Sequence, residues 1–329
     1  MVLSLLHPVA PLLAAAVVLD LLIGDPVYPA HPARLMGWTL TRFEKLLRAM
    51  GLDGYGGGVL LFLLLAIVWC GGIGLLTYAA GRWNYYVAIA FQIFVLYSLL
   101  AMRDLLAHVW AVEAAVRQND LPEARRRVAL LVGRDTDRMD FAACRRAAIE
   151  SLSENLTDGF VSPIFWYVVA GLPGIVLFKV VSTMDSMVGY KTPEYLRFGW
   201  CGARLDDVMN WLPARMNWLL ISFCALVIPG FSGPKAARIG WRQHALMPGP
   251  NSGWSEATTA GAMQRRLVGQ IWRHGKLVTE LWLGDPRDSP AGDDSDVKRS
   301  SILLTFAGLT AALLAIFVIL AVQRWVRGS

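Results

Sequence analysis

The stretch GVLLFLLLAIVWCGGIGLLTYAA at 58–80 contains no charged residue, and the short linker GRWN at 81–84 joins it to a second apolar stretch at 85–106. About 20 apolar residues are needed to cross the hydrocarbon core of a bilayer. The two stretches therefore predict a pair of antiparallel transmembrane helices. Three glycines within 71–74 predict that the first helix approaches a neighbouring helix closely.

Further apolar stretches at about 3–23, 159–181 and 302–323 fit membrane spans, and a sixth at about 216–231 is short. Only 17% of the 329 residues are charged and 55% are hydrophobic, whereas soluble domains carry about 25% charged residues. The sequence predicts an all-α integral membrane protein with about five transmembrane helices (four to six), some of them re-entrant, and with polar helical loops.

Lys and Arg are concentrated at 24–56, 107–158 and 232–301, which the positive-inside rule places in the cytoplasm. Simple counting of spans then puts 182–212 on the opposite side, although this segment is rich in polar side chains. The string AGLPG at 170–174 interrupts the fourth span, and a re-entrant segment there would keep 182–212 cytoplasmic. We favour partly inserted segments over six plain spans.

We expect one membrane-embedded domain over 1–329, with a polar arm at 107–158 and a second polar region at 232–301. The four cysteines form no CxxC pair, which argues against a zinc site or a disulfide framework. The motifs GxxxxGK[ST], GxGxxG, HExxH and GxSxG are absent. Basic residues are interleaved with acidic ones and no nucleic-acid module is found, so no nucleic-acid partner is expected.

The first polar cluster contains Glu150, Glu154 and Asp158, which are spaced i, i+4, i+8 and share one stripe of a helix. Like charges at this spacing destabilise a helix, unless they share a cation. Mg²⁺ prefers carboxylates and phosphate oxygens, so these three residues are candidate metal ligands. The alternative is a solvated acidic face that pairs with neighbouring arginines.

The second cluster contains Asp185, Ser186, Gly189, Tyr190 and Lys191. The lysine could neutralise a phosphate group, and the glycine would let the backbone approach a ligand closely. The alternative is an interfacial lysine that snorkels beside an aromatic anchor.

The third cluster contains Arg204, Asp206, Asp207, Asn210 and Arg215. Its carboxylates could bind a metal ion, and its arginines could bind phosphate or carboxylate groups. The alternative is a network of ion pairs between helices. Adjacent aspartates cannot share one helix face, so one of the two could be structural.

Two further polar strings lie beside apolar runs. After the turn PNSG, Ser252 or Ser255 could cap a helix that carries Glu256 in an early turn, and backbone N–H groups at such a start bind anions. A plain capped helix is an equally good interpretation. Near the end of the first span, turn chemistry explains the prolines but leaves Asp25 and His31 unexplained.

Six strings in the same order resemble the adenosylcobinamide-phosphate synthase family, the cobalamin biosynthesis proteins of the CobD/CbiB group. They are DLLIGDPVYPAHPARLMG (20–37), GRDT (133–136), AAIESLSENLTDGFVSPIFW (147–166), KVVSTMDSMVGYKTPEY (179–195), GWCGARLDDVMNWLPAR (199–215) and PNSGWSEATTAGAM (250–263). The resemblance covers about 20–284.

The resemblance implies a bacterial inner-membrane enzyme whose active site faces the cytoplasm. It implies amide ligation of (R)-1-aminopropan-2-ol or its O-phosphate to adenosylcobyric acid with ATP and Mg²⁺, for which an acyl phosphate is the expected intermediate. The corrinoid, the amine, the lipid bilayer and other membrane enzymes of cobalamin assembly are the expected partners. A membrane sensor or transporter and a docking protein for corrinoid enzymes are the alternatives.

Site roles follow from the chemistry of the matching motifs. We predict catalytic roles for Glu154, Asp158, Asp185 and Lys191. Substrate or phosphate binding is predicted for Asn155, Arg204, Asn210, Arg215, Asn251, Ser252, Glu256, Asp25 and His31. Ligands of Mg²⁺ are predicted at Glu150, Glu154, Asp158, Asp185, Asp206 and Asp207. Candidate wall residues for the corrinoid are Trp166, Tyr190, Tyr195, Trp200 and Trp211, for which an interfacial aromatic belt is the favoured alternative.

Overall fold

The computed structural model describes residues 6–24, 28 and 31–328, and these form fourteen α-helices and one two-stranded sheet. The elements are α1 (Ala10–Ile23), α2 (Pro32–Ala49), α3 (Tyr55–Ala66), α4 (Gly72–Trp83), α5 (Tyr85–Tyr97), α6 (Met102–Arg117), α7 (Leu121–Ala129), α8 (Phe141–Leu156), α9 (Ser162–Val188), α10 (Trp200–Met209), α11 (Trp211–Val227), α12 (Gly233–Gln243), α13 (Ser252–Met263), β1 (Leu267–Arg273), β2 (Lys276–Leu283) and α14 (Asp296–Gly328). Short π-helical segments at Ile67–Gly71 and Thr157–Val161 connect α3 to α4 and α8 to α9.

Four helical stretches in the described part of the chain are long and apolar enough to cross a membrane: Tyr55–Trp83, Tyr85–Arg117, Phe141–Val188 and Asp296–Arg327. The shorter apolar helices are α1 and α11. This pattern confirms the predicted all-α membrane protein. The first predicted span corresponds to α1, a helix of 14 residues, which is shorter than a full crossing requires.

The surface of Tyr55–Trp83 is apolar, and only 17% of its most apolar 18-residue segment is buried within the protein. Ile67 and Leu75 are 68% and 67% exposed, which suits contact with lipid tails rather than with water. The close helix contact predicted for Gly71, Gly72 and Gly74 is wrong, because a Cβ at any of them would meet no described atom within 4 Å.

The predicted interruption of the fourth span is confirmed at Ala170 and Gly171, whose backbone angles are not helical. Gly171 has φ +64°, and a Cβ at this position would lie 1.9 Å from the carbonyl oxygen of Leu6. Only glycine meets both requirements. The break leaves two parts of α9 that are each shorter than the about 20 residues of a complete span. The re-entrant arrangement itself stays a prediction.

The chain divides into two compact units, whereas the sequence led us to expect one domain. The first unit consists of Met1–Ala101, Asp158–Asn210 and Ala312–Ser329, and the second of Met102–Thr157 and Trp211–Ala311. Except for the last residue of the polar arm, both predicted polar regions belong to the second unit. The division therefore separates most of the apolar helices from most of the charged sequence.

Within the second unit, α13 is buried along nearly its whole length, from Gly253 to Met263. Small residues make this possible, because a Cβ at Gly261 would lie 2.6 Å from the backbone oxygen of Lys235 on α12. A side chain there would force the two helices apart. The polar residues Ser255 and Glu256 therefore lie on a buried helix.

An antiparallel hairpin of β1 and β2 also belongs to the second unit and was not predicted. Its strands pair from Leu267 with Leu283 to Arg273 with Lys276. The connecting residues His274 and Gly275 have φ of +51° and +73°, and positive φ at both central positions is the signature of a tight hairpin turn. Both strands lie within the polar region 232–301, for which no strand was predicted.

Candidate functional site

Three aspartates form an acidic cluster in the first unit: Asp185 near the end of α9, and Asp206 and Asp207 on α10. Glycines allow the two helices to approach closely. A Cβ at Gly202 would lie 2.9 Å from the Cβ of Met184, the residue before Asp185. The close approach brings together carboxylates from two separate sequence motifs.

A short hydrogen-bond chain positions one member of the acidic cluster. Asn210 Nδ2 donates to Asp206 Oδ2 over 3.0 Å, and Ser162 Oγ donates to Asn210 Oδ1 over 2.5 Å. Asn210 is only 1% exposed. Its amide is therefore committed within the protein, which argues against the direct substrate contact predicted for it.

The electrostatics of the cluster follow from burial and from like charge. Burial, followed by the neighbouring carboxylate of Asp185, raises the pKa of Asp206 from 3.8 to about 7. Burial also raises the pKa of Asp207, while Arg204 and Lys191 act in the opposite direction. Arg204 Nη1 lies 3.5 Å from Asp207 Oδ2. Carboxylates that resist ionisation beside one another gain most from a shared cation.

The donor chemistry of the acidic cluster fits Mg²⁺, which proteins commonly hold through one or two carboxylates while substrate phosphates complete its shell. Among the described residues, no group of three or more His, Cys, Asp and Glu side chains is arranged to hold a metal by itself. The six predicted ligands therefore do not form one preformed cage. Two of them, Glu150 and Glu154, belong to the second unit and the other four to the first.

The second unit contains a cavity of about 350 Å³, which we call the Glu256 cavity. Its walls come from the loop before α8, from α8 itself, from the start of α13 and from β1. The lining residues are Leu131, Val132, Gly133, Arg134, Glu150, Ser151, Glu154, Met247, Pro248, Gly249, Ser252, Glu256, Ile271 and Arg273. Two predicted site residues from one motif, Glu150 and Glu154, thus line the same space as two from another motif, Ser252 and Glu256.

Glu150 lies in a buried ion pair at the edge of this cavity. Arg134 Nη2 donates to Glu150 Oε2 over 2.5 Å, and the backbone N–H of Val268 donates to Oε1 over 2.9 Å. Both carboxylate oxygens are engaged, which argues against the metal-ligand role predicted for Glu150. The pair instead ties α8 to the preceding loop and to β1.

Glu256 is 3% exposed, and its Oε2 has no hydrogen-bond partner among the described groups. Burial, followed by the carboxylates of Glu154 and Glu150, raises the pKa of Glu256 well above its usual value. Helix α13 begins after Asn251, which forms no side-chain cap. The predicted capping by Ser252 or Ser255 is therefore wrong.

Other predicted residues have different surroundings. Asn155 Nδ2 donates to the backbone and side-chain oxygens of Ser151 on its own helix, at 2.9 and 3.2 Å. Asp158 does not line the Glu256 cavity, because the π-helical segment that begins at Thr157 ends the regular i, i+4 stripe. His31 is buried beside the ring of Tyr28, with ring centres 5.1 Å apart. Asp25 lies outside the described residues.

The predicted anion-binding residues Arg215 and Asn251 do meet. Arg215 Nη1 lies 3.5 Å from Asn251 Oδ1, and its guanidinium lies over the rings of Trp211 and Trp254 at 4.1 and 5.0 Å. Trp211 is 53% exposed. An arginine stacked on an exposed aromatic ring offers both charge and a flat apolar surface.

The remaining candidate wall residues belong to the first unit and differ in exposure. Trp166 donates from Nε1 to the backbone oxygen of Met209 over 3.0 Å. Tyr190 and Trp200 are 57% and 45% exposed, and the ring of Tyr195 lies 6.4 Å from that of Tyr190.

Two cationic residues of the Glu256 cavity were not predicted as site residues. Arg134 lies within the string GRDT, so a charged residue inside a matching motif was the available signal. Arg273 had no comparable signal, because it reaches the cavity only through the fold of the hairpin.

Comparison with known proteins gives a consistent family. Residues 13–304 match the family model described as CobD/Cbib protein. The chain is 38% identical over 302 residues to a cobalamin biosynthesis protein CobD from Yersinia enterocolitica, covering 91% of this chain and 94% of that one. It is 35% identical over 315 residues to a cobalamin biosynthesis protein CbiB from Salmonella arizonae, covering 94% and 96%. No solved structure matches the chain.

Proposed function

Because the chain belongs to the CobD/CbiB family of cobalamin biosynthesis proteins, we propose that it is adenosylcobinamide-phosphate synthase, an acid–amine ligase of the membrane. In this reaction ATP phosphorylates a carboxylate of adenosylcobyric acid to an acyl phosphate and releases ADP. The amine of (R)-1-aminopropan-2-ol or of its O-phosphate then attacks the acyl carbon, and phosphate leaves as the amide forms.

One observation carries the proposal: polar residues from motifs about 100 positions apart in sequence line one small cavity in the second unit. Glu150 and Glu154 come from α8, whereas Ser252 and Glu256 come from α13. A purely structural membrane protein gains nothing from collecting acids around a cavity, since burying them costs free energy. A ligase needs such groups to bind and orient polar substrates.

The acidic cluster of the first unit is the proposed site for Mg²⁺ and phosphate. One or two of the carboxylates of Asp185, Asp206 and Asp207 would hold the ion together with phosphate oxygens of the substrate, and the ion would neutralise charge on the transferred phosphoryl group. Lys191 and Arg204 are exposed and both lower the pKa of Asp207, so they are the cations proposed to contact phosphate oxygens. These groups act through positioning and charge stabilisation rather than covalent chemistry.

The corrinoid needs a larger surface than the Glu256 cavity offers. The exposed pair of Arg215 and Trp211 is the proposed contact in the second unit, since a guanidinium can bind a carboxylate while the ring supports apolar surface. Tyr190 and Trp200 of the first unit are exposed and stay candidate wall residues. We place the protein in the bacterial inner membrane with its active site facing the cytoplasm, where other cobalamin-assembly enzymes of the membrane are expected partners.

The test uses purified protein in nanodiscs with adenosylcobyric acid, ATP, Mg²⁺ and either amine. ADP release and the mass of the corrinoid product are followed. Amide product that requires both ATP and Mg²⁺ is the expected result, and it should be lost in Asp185→Ala and Lys191→Ala. If folded protein forms no amide with either amine, the ligase proposal is overturned in favour of a sensor or docking role.

A further inference from the structure

The Glu256 cavity contains a carboxylate that the protein itself leaves incompletely satisfied. Glu256 is 3% exposed, lines the cavity, and has no hydrogen-bond partner at Oε2 among the described residues. A buried carboxyl oxygen without a hydrogen-bond donor is costly whether the group is neutral or charged, and such groups in native proteins call for a specific explanation. A ligand that donates hydrogen bonds and carries positive charge supplies one.

The charges around the cavity favour a cation. Glu150, Glu154 and Glu256 line it together with two cations, Arg134 and Arg273. Arg134 is committed to Glu150 in the buried ion pair, and Arg273 is exposed. Glu154 and Glu256 contribute two further carboxyl groups to the lining, so the three acidic residues outnumber the two arginines.

The arrangement of carboxyl groups in the cavity favours an ammonium group over a metal ion as the ligand. Among the described side chains, no cluster of three metal-ligating groups is formed here. A primary ammonium presents three N–H donors in different directions and needs no fixed coordination geometry. Two carboxylates on separate helices can accept from it, and the charge assists both hydrogen bonds.

The size of the cavity restricts the ligand further. Its volume of about 350 Å³ is at the small end of ligand pockets, which run from about 300 to 1,000 Å³. This fits an amine of a few heavy atoms and not a corrinoid. Ser252 and Arg273 line the same space and can contact an alcohol or a phosphate group on such an amine.

We propose that the Glu256 cavity is the binding site for the amine substrate, in which Glu256 and Glu154 hold a primary ammonium and Ser252 and Arg273 face its alcohol or phosphate end. This assignment rests on the proposed ligase function for the identity of the amine. The binding step needs neither ATP nor the corrinoid, so it can be tested separately from the reaction.

The experiment measures calorimetric binding of 1-aminopropan-2-ol and of its O-phosphate to the full-length protein in nanodiscs, without ATP or corrinoid. Binding of at least one amine to the wild type is expected, with affinity at least tenfold weaker in Glu256→Gln. Glu280→Gln is the matched control, because Glu280 is an exposed carboxylate of the same unit that does not line this cavity. It should bind as the wild type does. Arg273→Ala should weaken binding of the O-phosphate more than binding of the free amine. This difference shows which of the two amines uses the contact with Arg273.

A second measurement needs no variant. Propane-1,2-diol replaces the ammonium with a hydroxyl and should neither bind to the wild type nor displace the amine. Equal binding of the diol, unchanged amine affinity in Glu256→Gln, or no amine binding to the wild type would each overturn the assignment. Amine binding without amide product in the complete assay would refute the ligase function alone. Amide product with full affinity in Glu256→Gln would refute the amine site alone.

Discussion

Arg134 and Glu150 form an ion pair of 2.5 Å whose two side chains are only 7% and 9% exposed. Breaking one partner of a buried pair leaves the other charge uncompensated and costs about 3–5 kcal/mol. Arg134→Ala should therefore lower the unfolding temperature of the protein in detergent. Adding Glu150→Gln to this variant should recover part of the loss, because neither charge of the broken pair then remains.

The matched control is Arg126→Ala, which removes an exposed pair with Glu123 on α7. Exposed pairs contribute little to stability, so its unfolding temperature should match that of the wild type. Equal unfolding temperatures for Arg134→Ala and the wild type would show that the buried pair has no structural role.

The raised pKa of Asp206 predicts a pH dependence of stability. The folded protein favours the protonated form up to about pH 7, whereas the unfolded chain ionises near 3.8. The stability contribution is therefore complete below the unfolded pKa and is lost as the pH rises towards 7. In EDTA, the unfolding temperature of the wild type should fall between pH 5 and pH 8, and Asp206→Asn should flatten this dependence. Parallel curves for the two proteins would contradict the prediction.

The position of Asp185 leaves no room for a side chain at position 189, so a glycine is required there. A Cβ at position 189 would lie 2.2 Å from Oδ1 and 2.5 Å from the backbone oxygen of Asp185. Gly189→Ala should therefore move the carboxylate and reduce amide formation by at least tenfold. Gly74→Ala is the control, since its Cβ would meet no described atom within 4 Å, and it should keep full activity. Equal activity in both variants would show that this local geometry does not matter.

If the acidic cluster binds Mg²⁺, removing one carboxylate should lower the affinity of the protein for the ion. Asp185→Asn should raise the Mg²⁺ concentration for half-maximal activity about tenfold, which corresponds to about 1.4 kcal/mol. Asp53→Asn changes an exposed aspartate of the same unit and should leave this concentration unchanged. An unaltered Mg²⁺ requirement in Asp185→Asn would place the ion elsewhere.

Much of the membrane architecture follows from the sequence alone. The apolar runs predicted the long helices, the string AGLPG predicted the break at Ala170 and Gly171, and six collinear motifs predicted the family. These properties depend on local composition, because apolar length decides what can cross a bilayer and only glycine accepts the backbone angle at position 171.

Only the tertiary structure decided which polar residues share a site. Sequence spacing placed Glu150, Glu154 and Asp158 on one stripe, but the π-helical segment at Thr157 interrupts it. Glu256 joins Glu150 through packing of a buried helix more than 100 positions later, and Arg134 neutralises Glu150 from a loop. Such relationships depend on long-range packing and on which partner occupies each hydrogen bond, and neither is encoded in the periodicity of a single segment.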